Sequence, residues 1–163
     1  MPESLHADRV GRSDLATLSP AARLVLAAVR GWFDGGGSGQ GLCLTLARAG
    51  LPSLAITRLS AALGLIDVSA RRSIILHAPG SATLSRDEGL LLTALAALQA
   101  GEPWRAQRIV AEWVPPRLAP RMIGLLAEFA AALASAGLRL PRQPIDETVL
   151  PPAWRPDRSL FLH

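Results

Sequence analysis

Residues 19–137 break into six segments rich in Leu and Ala, divided from one another by Gly and Pro. That punctuation constrains the fold more than any other feature, because each segment carries apolar residues at helical rather than alternating spacing. In the first, "LSPAARLVLAAVRGWF", Ser19 can cap a helix whose first residue is Pro20, a position where Pro loses no hydrogen bond. Leu24, Ala27, Ala28 and Gly31 fall on one face and Arg23 and Arg30 on the other, and the helix should stop near Asp34. A second helix covers residues 40–49 and ends at Gly50. Pro52 and Ser53 open a third, "SLAITRLSAALG", which ends at Gly64.

The fourth segment, "SRDEGLLLTALAALQAG", is the clearest helix. Ser85 and Glu88 stand at capping-box spacing, acids fill the first turn, and Gly101 closes it. Pro103 starts a short fifth helix, "PWRAQRIVAEWV", halted by Pro115 and Pro116. The last contains "MIGLLAEFAAALASAG" and stops at Gly137. In it Met122, Leu126, Phe129 and Leu133 form a seam spaced by four, three and four residues. Gly124, Ala127, Ala131 and Ala134 make a neighbouring face of small residues.

Between the third and fourth helices lies "DVSARRSIILHAPGSATLS". Its run at residues 73–76 is β-branched and reads as extended, and Pro79-Gly80 signals a turn. One short strand has nothing to pair with unless a second chain supplies it, so residues 65–84 are expected to be an ordered connector. The whole is therefore predicted to be all-α, a bundle of five or six helices. A flexible N-terminus over residues 1–17 would precede the helical domain of residues 18–139, and a Pro-rich docking arm over residues 140–163 would follow it. The arm is punctuated by apolar residues, among them Trp154 and Phe161, which points to docking along a groove.

Composition agrees and excludes several classes. Half of the 163 residues are apolar, yet there are only four Trp, three Phe and no Tyr, so the core must rest on Leu, Ala, Val and Ile. A single cysteine, Cys43, cannot form an internal disulfide and fits a reducing compartment. "MPESLHADRVGR" has no apolar signal-like core. The longest charge-free run, residues 89–101, falls short of the roughly 18 apolar residues that crossing a bilayer requires. A cytoplasmic protein without a membrane span is expected. All 17 basic residues are Arg, and against 13 acids the net charge is +4, which permits weak attraction to polyanions. Either GC-rich codon usage or a need for bidentate anion contacts would account for the absence of Lys.

Four stretches invite a chemical reading. "GWFDGGGSGQGLCL" packs five glycines into residues 35–41, but a helix precedes it, and Leu42-Cys43 stands where a phosphate loop needs Lys and Ser or Thr. It reads as a joint between helices. "LTLARAGLPSLAITRLSAALGL" has the outline of a helix-turn-helix over residues 46–61, turning at Gly50 and offering Ser53, Thr57 and Arg58 to a DNA groove. Leu46 stands where such motifs usually have Ala, and the alternative is two core helices joined tightly.

In "VSARRSIILHAPGS", Arg71 and Arg72 with His77 could hold an anion. Equally, one Arg would pair with an acid such as Asp67 while His77 caps a turn. Trp104, Arg105, Arg108 and Trp113 are of the types enriched at interface hot spots, while Ile109, Val110 and Trp113 share an inward face. His6, Cys43, His77 and His163 are scattered, so neither a metal nor a cofactor is expected, and no nucleophile elbow is present.

Residues 23–140 resemble a family of short alphaproteobacterial proteins grouped as a domain of unknown function. The stretches that carry the resemblance are "RLVLAAVR", "RLSAALGLIDVSARRSIILHAP" and "LSRDEGLLLTALAAL", above all "VSARR" followed by a β-branched run, a Pro and a capped helix. The resemblance implies a helical cytoplasmic protein and brings no activity with it. The expected role is a non-enzymatic interaction or regulatory module that binds a protein partner or itself. Trp104, Arg105, Arg108, Trp113, Trp154 and Phe161 are its candidate contacts.

Overall fold

A computed structural model describes residues 15–142. Six α-helices follow one another: α1 (Pro20–Asp34), α2 (Gln40–Arg48), α3 (Ser53–Ser69), α4 (Arg86–Gln99), α5 (Pro103–Trp113) and α6 (Ala119–Ser135). Among the described residues there is no β-strand, and they form an all-α bundle. Local chemistry explains most boundaries. The Ser19 hydroxyl accepts the Ala22 N–H at 3.2 Å, with Pro20 as the first helical residue of α1. The capping box of α4 is complete. Ser85 Oγ accepts the Glu88 N–H at 3.1 Å, and Glu88 Oε2 accepts the Ser85 N–H at 2.8 Å.

The glycine-rich stretch is a joint between α1 and α2. Gly36, Gly37 and Gly39 have φ of 64°, 79° and 72°, a region that side chains resist, so the chain can reverse within five residues there. Two other glycines let the helices touch. A Cβ on Gly41 would sit 3.0 Å from the Gly31 carbonyl oxygen, so α1 and α2 meet backbone to backbone at that point. The Trp32 indole covers the joint and donates to Ser60 Oγ of α3 at 3.3 Å.

The core runs through all six helices. α1 packs on α2, α3 on α6, and α4 on both α5 and α6. The seam of α6 lies where its spacing predicts, with Met122, Leu126, Phe129 and Leu133 sealed from solvent. Full burial of side chains of this size contributes about 1.5–3 kcal/mol each. No described helix is long and apolar enough to cross a membrane.

Three expectations need correction. α3 does not stop at Gly64; it continues to Ser69, because Gly64 keeps helical backbone and Leu63 and Ile66 extend its buried face. The connector therefore begins at residue 70, not 65. Arg30, placed by periodicity on the solvent face of α1, is 3% exposed. The buried face of α1 is instead Ala22, Val25, Leu26, Ala28, Val29 and Trp32, and Ala27 is exposed. Finally, Leu15–Thr17 form a 3-10 turn, in which the Leu15 N–H donates to the Ala82 carbonyl at 2.9 Å. Of the docking arm only residues 140–142 are described, with Leu140 buried against the core and Arg142 ion-paired with Glu102; Trp154 and Phe161 lie outside the described residues.

Candidate functional site

Titratable groups gather at the start of α4. Asp87 and Glu88 occupy its first turn, where the helix dipole favours negative charge, and are 4% and 0% exposed. Buried carboxylates on this scale persist only when fully partnered. Glu88 meets the Arg30 guanidinium side-on, with Nε to Oε1 at 2.7 Å and Nη2 to Oε2 at 2.9 Å. It also accepts the N–H groups of Ser85 at 2.8 Å and His77 at 3.0 Å. The rest of the Arg30 fork donates to the carbonyls of Ser81 at 2.9 Å and Thr83 at 2.8 Å. One arginine of α1 thus grips both the first turn of α4 and the connector leading into it.

Asp87 does the same work on the other side of the turn. Its oxygens accept from Arg72 Nη2 at 2.6 Å and Nη1 at 3.1 Å, from the Ile75 N–H at 2.9 Å and from the Trp113 indole at 3.2 Å. Arg72 also pairs with Glu112 of α5, which in turn binds Arg86 Nη1 at 2.6 Å. Burial by itself raises the pKa of Asp87, Glu88 and Glu112. Hydrogen bonds, together with the charges of the neighbouring arginines, outweigh it in every case and hold all three below the ordinary carboxylate value. The bonds come from Arg72, Ile75 and Trp113 for Asp87, from Arg30, Ser85 and His77 for Glu88, and from Arg86 and Arg72 for Glu112. The Arg72 pKa is raised, first by its bond to Asp87, against the cost of burial, and then by Glu112.

The connector and the first turn of α4 enclose an open cleft of about 390 Å³, lined by Arg72, Ile75, His77, Thr83, Leu84 and Arg86 among others. Of the three residues proposed to hold an anion, the structure brings Arg72 and His77 to this cleft and leaves Arg71 out of it. Arg71 donates its main-chain N–H to the Trp113 carbonyl at 2.8 Å and Nη1 to the Ala111 carbonyl at 2.9 Å. Arg72 pairs with Asp87 and Glu112, not with Asp67, which is exposed. His77 Nδ1 lies 2.8 Å from the Thr83 carbonyl and 4.0 Å from Glu88 Oε2. Since a carbonyl can only accept, Nδ1 carries a hydrogen.

The remaining candidates lie apart. Ser53 and Thr57 are exposed on α3, and Thr57 Oγ1 donates to the Ser53 carbonyl at 3.0 Å. Arg58 is ion-paired with Glu128 of α6, so its charge is partly neutralised within the fold. On α5, Trp104 is exposed and the Arg105 guanidinium stands 5.1 Å from its ring centroid, while Arg108 is half-buried. Trp113 is a correction to the proposed contact surface. It is 1% exposed, and a partner could reach it only by opening the core.

Sequence reasoning missed Arg30, Asp87 and Glu112 as members of a network, and took Glu88 only for a cap. One signal was present: three acids with strong helix context face an arginine-only chain, and Arg30 sits next to Val29 on the flank of the apolar face. Among the described residues no three His, Cys, Asp or Glu side chains gather into a metal-binding group. No family model matches the chain, and neither a curated protein nor a solved structure is found to be similar to it.

Proposed function

We propose that this chain is a non-enzymatic interaction module that associates with itself. The supporting observation is what it leaves on its surface. Val68, Ile75, Leu54, Leu44 and Trp104 are between 46% and 80% exposed, although a core of small and large apolar residues is already filled. Trp104 is the most telling of these, because the exposed indole and the arginine over it are two of the residue types most enriched at binding hot spots. The charged cluster points the same way. Asp87, Glu88 and Glu112 direct their oxygens to arginines and main-chain N–H groups, an arrangement that fixes the connector rather than one poised for proton transfer.

A DNA-binding role for residues 46–61 is less well supported, since Arg58 already faces Glu128. Sedimentation velocity of the full chain over a wide concentration range tests the reading. The expected result is a sedimentation coefficient that rises with concentration toward that of a dimer. A strictly monomeric mass throughout would refute self-association.

A further inference from the structure

Over residues 73–77 the connector has two lateral edges, and its main-chain hydrogen bonds among the described residues use only one. Between residues 73 and 78, the Ile75 N–H donates to Asp87, the His77 N–H donates to Glu88, and the Ile75 carbonyl accepts Ser85 Oγ at 2.6 Å. Main-chain groups of alternate residues pointing to one side are the mark of an extended strand. The side chains follow the same period of two. Ile74 and Leu76 pack against the core, whereas Ile75 between them is 61% exposed. It follows that the N–H and C=O groups of Ile74 and Leu76 face the opposite edge. There they have no hydrogen-bond partner among the described residues. Such an edge is a template for another strand.

We propose that this edge is where two copies of the chain meet, as antiparallel strands related by a two-fold axis through Ile75. The inference rests on the self-association reading and gives it a location. A second copy suits this edge because the unused main-chain groups, those of Ile74 and Leu76, lie symmetrically about Ile75, and the side chains that would then oppose one another are all apolar. Ile74 then lies opposite Leu76 of the partner subunit, and Leu76 opposite Ile74 of the partner subunit. Each pair exchanges two N–H to C=O bonds, four in all, from groups that the inner edge leaves unused. Ile75 falls opposite its own copy, so an exposed β-branched side chain gains an apolar neighbour across the axis. Pro79, which has no N–H to offer, lies beyond these four bonds. The acids of α4 hold the inner edge, so the strand meets its partner already extended and little ordering is needed on association.

The test uses the full chain and two substitutions at Ile75, each made with Cys43→Ser to remove the exposed native thiol. Ile75→Lys sets like charges against each other across the axis and should abolish the dimer. Its thermal unfolding should stay that of the monomer, because the side chain it replaces is mostly exposed. Ile75→Cys should yield a disulfide-linked dimer on mild oxidation. Opposed residues of a non-hydrogen-bonded pair have Cα atoms about 4.5 Å apart, within disulfide reach. Thr57→Cys, exposed on α3, should not cross-link. A dimer that is lost in Ile75→Lys and captured in Ile75→Cys supports the inference. If a dimer forms but Ile75→Lys leaves it intact, or Ile75→Cys fails to cross-link it, the edge is not the interface and self-association stands without it. A chain that is monomeric at every concentration, including one whose own terminal residues cover this edge, overturns both.

Discussion

Replacing Glu88 by Gln changes almost nothing in shape and should cost a large part of the stability. Each Glu88 oxygen receives one Arg30 N–H and one main-chain N–H: Arg30 Nε with His77 at Oε1, and Arg30 Nη2 with Ser85 at Oε2. Whichever position the amide NH2 takes, it confronts two donors. Two hydrogen bonds of the charge-assisted kind, about 1.5–3 kcal/mol each, are lost. The Arg30 charge is also left buried without its counter-charge, a loss of about 3–5 kcal/mol in comparable pairs. These figures describe the same event and are not summed. Arg30 keeps the Ser81 and Thr83 carbonyls, which places the expected loss near the lower end, about 3–4 kcal/mol.

With a urea slope of about 2 kcal/mol per molar, the unfolding midpoint should fall by about 1.5–2 M, followed through the fluorescence of the buried Trp32 and Trp113. Arg30→Met should cost a similar amount, since it strands Glu88 in turn. The double variant should cost less than the two together by at least ~1 kcal/mol, as coupled neighbours do. Single losses below about 1 kcal/mol, or effects that add to within ~0.5 kcal/mol, would refute the view that this pair is a buried, coupled anchor.

Three further outcomes follow from the same packing. Because Asp87, Glu88 and Glu112 titrate below their ordinary values in the folded chain, their contribution is fully present at neutral pH. It should fade as pH falls through and below about 4, and urea midpoints measured down the pH scale should show that loss with a shallower slope in Glu88→Gln. Gly41→Ala forces a Cβ against the Gly31 backbone at 3.0 Å and should destabilise by about 1–3 kcal/mol. Gly64→Ala, in helical backbone with nothing within 4 Å, should instead stabilise by about 0.5–1 kcal/mol; calorimetry of both variants decides whether the α1–α2 contact is as close as described.

The helices were legible because what makes a helix is local. A Ser hydroxyl reaching the third residue on, a Pro at the first position and an apolar residue every three or four positions all act within one or two turns. For that reason the capping box at Ser85 and the seam from Met122 to Leu133 could be read directly, and the all-α class with them. Where the local signal was ambiguous the reading slipped. Gly64 is a stop by composition but not by conformation, since Leu63 and Ile66 still have core to reach, and packing carried α3 on to Ser69.

The anchored connector was beyond the sequence for a different reason. Arg30 and Glu88 are 58 positions apart, and Arg72 and Glu112 are 40 apart, so no periodicity links them. An arginine beside an apolar stripe looks the same whether it faces water or a carboxylate. Only the arrival of α4 against α1 decides between them, because burying that charge is favourable solely when another helix delivers the opposite one. Local spacing thus chose the helices, and long-range electrostatics inside the assembled bundle chose how the segment between α3 and α4 is held.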